Sequence, residues 1–165
     1  MATDTGILTQ GTLFEVSNDE GVTYIPFGCV TSFTLTSGTR TEIPTTCLTD
    51  TTKTFKFGLQ DAGTLSVDTY SDLEGAGTVD LENSYESDIA YDFKISYSND
   101  NEGAGTPTIK EFQGYVISFS ENGTEDSILT TSWEIKISGT VSTTDSTPGA
   151  WWYVEESKNQ KRIFR

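Results

Sequence analysis

From Ile89 to Tyr97 every second residue is apolar or aromatic: Ile89, Tyr91, Phe93, Ile95 and Tyr97. Asp92, Lys94, Ser96 and Ser98 are the polar residues of the other phase. A period of two gives a pleated strand one apolar face, whereas a helix needs apolar residues three and four apart. Tyr115, Ile117 and Phe119 repeat the pattern, and so do Leu129, Trp133, Ile135, Ile137 and Val141. Between these two runs lies Ser120-Glu-Asn122-Gly123-Thr. Asn-Gly flanked by alternating apolar residues is a strong hairpin signal. Residues 89–141 therefore read as a three-stranded antiparallel meander of half-buried strands.

The first half is strand-like but less regular. Leu13, Phe14 and Val16 predict one short strand, Val22, Tyr24 and Ile25 a second, and Cys29 through Thr36 a third with Phe33 and Leu35 on one face. Phe55, Phe57 and Leu59 alternate again, and Leu65 and Val67 follow Asp61-Ala-Gly63. Between Thr36 and Phe55 the pattern predicts a long connection of strand-like chemistry, the 37–55 loop, with one proline, Pro44. Long loops in compact domains are usually functional or disordered, and Ile43 and Leu48 give this one something to pack. A single helix is predicted near 78–87, from the broken stripe Val79, Leu81, Glu82, Tyr85, Ile89 and a capping-box-like Ser71-Asp-Leu-Glu74. Gly75 and Gly77 interrupt it.

Composition sets the scale of the core. Leu, Ile, Val and Phe number 37 of 165 residues, while Thr and Ser number 28 and 17. The core is lean, and some apolar surface is expected to find its partner on another chain. No run approaches the roughly 18 apolar residues of a membrane-spanning helix. The opening MATDTGILTQ has neither the basic region nor the apolar run of a signal peptide. The reading expects a protein made and kept inside a cell unless it leaves as part of something larger.

Net charge is −15, from 10 basic and 25 acidic residues. Lys158, Lys161, Arg162 and Arg165 lie in the last eight residues, where there is no acid, so residues 1–157 carry −19. An acidic body argues against gripping nucleic acid, which needs Lys and Arg on phosphate. The basic tip is either a solvated tail or a group that docks on the acidic body of a neighbouring copy. Before it, Ser142-Thr-Thr-Asp-Ser-Thr-Pro148-Gly149 is linker-like. Trp151 and Trp152 follow, as an anchor for another surface or as a terminal strand of the domain's own sheet.

Catalytic signals are weak. There is no histidine, which removes every Ser-His and Cys-His nucleophile and the commonest metal ligand. Cys29 and Cys47 cannot make a four-ligand zinc site; they could form one disulfide, but two lone buried thiols are expected. Asp4-Thr5-Gly6 matches an aspartic-protease triplet, but no strand precedes it and no second copy exists. Glu74-Gly-Ala-Gly-Thr78 recurs as Glu102-Gly-Ala-Gly-Thr106 without the third glycine of a dinucleotide site. Ser98, Asp100 and Glu102 mimic half a calcium loop, but Ile109 stands where its closing Glu is required. Asn122-Gly-Thr124 is a formal glycosylation sequon that reads better as the hairpin turn. No enzyme and no cofactor are expected.

Residues 41–67 carry a fuller pattern. Ile43, Thr46, Leu48, Asp50, Lys53, Phe55, Gly58, Leu59, Asp61, Gly63, Leu65 and Val67 stand at the anchor positions of a motif. That motif resembles the central one of phage major tail proteins, the tail tube subunits of long non-contractile tails. Phe112–Phe119 and Thr131–Gly139 resemble the family's last strand pair, so the likeness covers about residues 5–141. Many relatives carry an immunoglobulin-like domain next, and none is expected before Arg165.

The resemblance implies an antiparallel β-sandwich or barrel-like core with one short flanking helix over 1–141, and a linker with a C-terminal arm over 142–165. It implies a structural virion protein whose hexameric rings stack into a hollow tube, with the DNA passing through the lumen without specific binding. The implied partners are further copies of itself, a tape measure protein and tail-tip or terminator proteins, with no membrane. The implied locations are the virion tail and, during assembly, the host bacterial cytoplasm. Expected inter-subunit contacts are Ile43, Leu48, Phe55, Phe57, Trp151, Trp152, Lys158, Lys161, Arg162 and Arg165. The 37–55 loop is expected to be disordered in the free chain and to order on stacking. The alternatives are a tail terminator, completion or capsid decoration protein, a contractile-machine tube protein, or a carbohydrate-binding sandwich whose platform would be Trp151 and Trp152.

Overall fold

The computed structural model describes residues 9–48, 51–98 and 106–145. Its strands are β1 (Leu13–Ser17), β2 (Ile25–Pro26), β3 (Cys29–Ser37), β4 (Arg40–Pro44), β5 (Phe55–Gln60), β6 (Gly63–Tyr70), β7 (Tyr91–Ser96), β8 (Ile109–Asn122) and β9 (Thr130–Thr144), and its helix is α1 (Ala76–Ser87). Seven strands form one antiparallel sheet in the order β2-β1-β7-β8-β9-β6-β3, and β4 pairs with β5 separately. The predicted meander is present as β7-β8-β9.

The sheet curls until its two ends meet. Phe14 of β1 packs edge-on against Phe33 of β3 with ring centroids 4.8 Å apart, although these strands are far apart in the strand order. The bend is built into β8 and β9. Their register shifts between Glu111 and Gln113, opposite Ser142 and Ser138, so β9 carries extra residues there. Bulges of this kind bend a strand and increase its twist. The result is a barrel-like sandwich filled by Val16, Leu65, Val67, Phe93, Ile95, Trp133, Ile135 and their neighbours.

A second register shift, between Val116 and Ser118, corrects the phase read from the sequence. Val116, not Tyr115 or Ile117, faces the core, and both of those are exposed. The extra residue then sets Phe119, itself still exposed, opposite Trp133, on which it stacks at 5.1 Å.

Helix α1 lies over β1, β2 and β8 and inserts Leu81, which is fully buried. Gly77 explains the glycine inside it: a Cβ there would lie 2.4 Å from the Pro26 carbonyl oxygen. The predicted capping box does not form. The N-cap is Gly75 without a side-chain bond, and Gly75 N donates to Asp72 O in a turn before the helix.

Three further expectations change. The 37–55 connection, read as a loop of strand-like chemistry, contains a strand, β4, paired with β5. Cys29 and Cys47 are exposed and not disulfide-bonded, in place of buried thiols. β9 continues to Thr144, past the boundary read at 141. The Asp4 triplet, the 99–105 acidic loop and the Trp-Trp and basic segment lie outside the described residues.

Candidate assembly surfaces

β3 and β6 pair from Cys29↔Tyr70 to Ser37↔Gly63. The same two chain segments continue beyond the sheet. Asp61 N donates to Thr39 O at 3.0 Å, and β4 then pairs with β5 from Arg40↔Gln60 to Pro44↔Phe55. One two-stranded ribbon thus runs from Cys29 out to a tip where Thr45 N donates to Thr54 O at 2.9 Å. Its neck needs two glycines. A Cβ on Gly63, whose φ is +107°, would lie 2.0 Å from Thr36 O, and one on Gly38 would lie 2.1 Å from Asp61 O.

Past the neck the ribbon has little beneath it. Phe55, Phe57 and Leu59 are exposed, Leu59 to 94%, and so are Ile43 and Leu48. Exposed apolar side chains grouped in this way mark an interaction surface. Phe55 and Phe57 share one face of the ribbon, whereas Ile43, paired with Lys56, lies on the other, and Leu48 is exposed near the tip; the alternation that marks Phe55 and Phe57 also marks Leu59. Trp151, Trp152, Lys158, Lys161, Arg162 and Arg165 are not among the described residues.

A second surface is the polar face of β3, β6, β9 and the distal part of β8. Pairing aligns its side chains in rows of four: Thr34–Ser66–Glu134–Ser118 and Ser32–Asp68–Ser132–Ser120. Ser32 and Ser132 each donate to the Asp68 carboxylate at 2.6 Å. These bonds, from Ser132 first, hold the Asp68 carboxyl below its ordinary range. Ser118 donates to Glu134 at 3.2 Å. Lys136, on the same face, is committed to Asp61 at 2.7 Å. The hydroxyl protons are thus turned toward carboxylates, and the face offers a passing polyanion acceptors more than donors.

This four-stranded wall has two open margins. β3 is the last strand of the sheet. β7 stops at Tyr91↔Gly114, so β8 beyond Gly114 pairs with β9 alone. Unpaired strand edges of this length are templates for another chain.

The two ends of the molecule differ in charge. One end holds the β4–β5 ribbon. The other holds the β8–β9 hairpin tip and the 71–75 turn, joined by Ser71 N to Leu129 O at 2.9 Å. Ribbon residues 38–60 contain three bases and two acids, whereas residues 70–75 and 121–130 contain five acids and no base. Among the described residues no group of three or more His, Cys, Asp or Glu side chains converges on a metal-sized site. No helix among them is long and apolar enough to cross a membrane.

A family model described as phage tail tube, lambda-like, matches residues 5–147. No curated protein sequence matches the chain. The solved tail tube of phage SPP1 superposes with a TM-score of 0.68 at 15% identity, covering 85% of this chain and 80% of that one. A chain from the tail of an empty gene transfer agent particle, refined with C6 symmetry, gives 0.63 at 10% identity, covering 80% and 94%. One from the sheath/tube terminator of an extracellular contractile injection system gives 0.66 at 14%, covering 87% and 99%. These structural likenesses establish a shared fold.

Proposed function

The chain belongs to the lambda-like phage tail tube family, and from that membership we propose how its surfaces build the tube. The protein is a structural component of the virion tail. Its four-stranded wall lines the lumen, six copies form a ring, and rings stack through the β4–β5 ribbon.

The observation that carries this reading is the wall itself: four strands, polar on one face and open at both margins. In the order β8-β9-β6-β3 each neighbour is antiparallel. An even number of alternating strands lets β3 of one copy meet β8 of the next, again antiparallel. A closed ring of identical copies then has no free edge. C6 symmetry, as in the gene transfer agent tail, makes six the expected number.

The lumen chemistry follows. Duplex DNA carries one negative charge per roughly 1.7 Å of axis, and adsorption needs Lys or Arg on its phosphates. Asp68 and Glu134 repel it, and the one lysine on the wall is neutralised by Asp61. The protein acts without catalysis, assembling in the bacterial cytoplasm around a tape measure protein and ending at tip and terminator proteins.

Negative-stain electron microscopy of the purified chain, dilute and then concentrated, tests this. Hollow tubes or stacked rings are expected. Single rings that never stack would move the protein to a terminal position in the tail and overturn the tube reading.

A further inference from the structure

The two ends of the curled sheet meet through side chains and not through a ladder. β2 covers β1 only at Glu15 and Val16, and β3 is the last strand at the other end. Between β1 and β3 lies a cleft of about 440 Å³, lined by Thr9, Thr12 and Phe14 on one side and Val30, Thr31 and Phe33 on the other. The edge-on rings of Phe14 and Phe33 form its apolar floor. Thr12, in its wall, has a buried Oγ1 with no hydrogen-bond partner. β3 itself, Cys29-Val-Thr-Ser-Phe-Thr-Leu-Thr-Ser37, carries no charged residue and no proline. Apart from the bulge at Thr31, nothing in the strand guards its open margin against another chain.

Resting on the tube reading, we infer that in the free subunit residues 1–8 lie in this cleft as a strap over the margin of β3, and that ring closure displaces them. The margin the strap covers is the one that β8 of the next copy needs. An unassembled copy is then closed to lateral pairing until a neighbour competes for the edge.

Three arguments select this segment as the occupant. The first is direction. Thr12 N donates to Thr9 O at 3.1 Å, and Gly11 has φ +87°, the sign that the third residue of a type II turn requires. Such a turn reverses the chain, which aims the residues before Thr9 back along β1 and into the cleft. The second is reach. Leu8 adjoins Thr9, which already lines the cleft, so the tethered segment arrives at a high effective concentration that no second copy matches in dilute solution. The third is chemistry. An extended chain alternates its side chains, so either phase sets Ile7 or Leu8 against Phe14, Val30 and Phe33. Its backbone supplies partners for the unpaired edge of β3 and for the Thr12 hydroxyl, a buried group that is costly to leave unbonded.

The test compares the full chain, dilute enough to run as a monomer in size exclusion, with a full chain carrying Ile7→Ser and Leu8→Ser. Hydrogen exchange is read on peptides covering 29–35 and, as a control, 130–137. Exchange at 29–35 is expected to be at least fivefold faster in the variant, with 130–137 unchanged. Electron microscopy over a concentration series is expected to show the variant assembling at a lower concentration than wild type. Equal exchange at 29–35 would overturn the strap, and so would tubes from both proteins with a threshold that does not fall; tubes seen with either result leave the tube reading standing. Faster exchange at 29–35 with no rings or tubes from either protein at any concentration would uphold the docking and overturn the tube reading. A variant that exchanges faster at 130–137 as well has lost its fold, and the decision then passes to the otherwise unaltered chain with benzoylphenylalanine in place of Thr5. Irradiated at the same dilution, intrachain cross-links to 12–14 or 29–35 uphold the strap, and cross-links elsewhere, between chains or absent overturn it.

Discussion

Gly77 occupies a helix interior, where glycine costs about 1 kcal/mol against alanine. Its place is dictated by the Pro26 carbonyl and the Phe27 backbone, which a Cβ would meet at 2.4 and 2.6 Å. Gly77→Ala is therefore expected to destabilise by about 1–3 kcal/mol through overpacking, against the propensity gain; urea unfolding measures it, and a stabilised variant would refute the contact. Two of the carboxylates held below their ordinary range owe it to neighbouring hydroxyls. Hydrogen bonds from Ser17 and then Thr23 hold Asp19 at about 2, and Ser132 and Ser32 hold Asp68 below 3.8. For both, the folded pKa lies under the unfolded one, so their contribution is complete above 3.8 and disappears as pH falls through the folded value. Asp68→Asn should melt earlier than wild type at pH 7, with the gap closing below pH 3.8; a gap constant with pH would count against the hydroxyl bonds. Little of this was legible in the sequence. Ser71 and Glu74 have the spacing of a cap, but the Asp72 carbonyl takes Gly75 N into a turn first. Tyr115, Ile117 and Phe119 suggest one phase, and nothing local shows that the chain inserts an extra residue at Ile117.

At the scale of elements, period-two runs were legible wherever a strand buries one face: β1, β3, β6, β7 and β9 coincide with them. β4 was not. Arg40-Thr-Glu-Ile-Pro44 has no alternation, because its pairing comes from register with β5 and it covers no core. For the same reason its partner tolerates change. Phe57→Ser with Leu59→Ser should leave unfolding within about 0.5 kcal/mol of wild type, yet abolish stacking. Calorimetry and electron microscopy of the same protein separate the two effects, and normal tubes from this variant would remove the ribbon from the ring contact. The hairpin at Asn122-Gly123 was legible as a hairpin, but its loop is wider than two residues, since pairing resumes at Thr130.

At the scale of the molecule, fourteen large apolar side chains are buried and seventeen are exposed among the described residues. That balance suits a subunit whose folding is completed by its neighbours. Asp68→Lys with Glu134→Lys should convert an inert wall into an adsorbing one. Tubes of the variant are expected to retain short duplex DNA in co-sedimentation, with retention falling steeply between 50 and 200 mM salt. Equal, negligible retention by both proteins would place this face outside the lumen. The ribbon has a mechanical consequence as well. Its two strands belong to the wall up to Ser37 and Gly63 and to the arm beyond, and the ladder is irregular between Arg40 and Glu42. Side chains lock the wall across four strands, whereas only a pair of strands crosses the neck. A tube stacked in the proposed way is expected to flex at its necks and keep its bore round, so that a long tail curves without pinching the passage inside it.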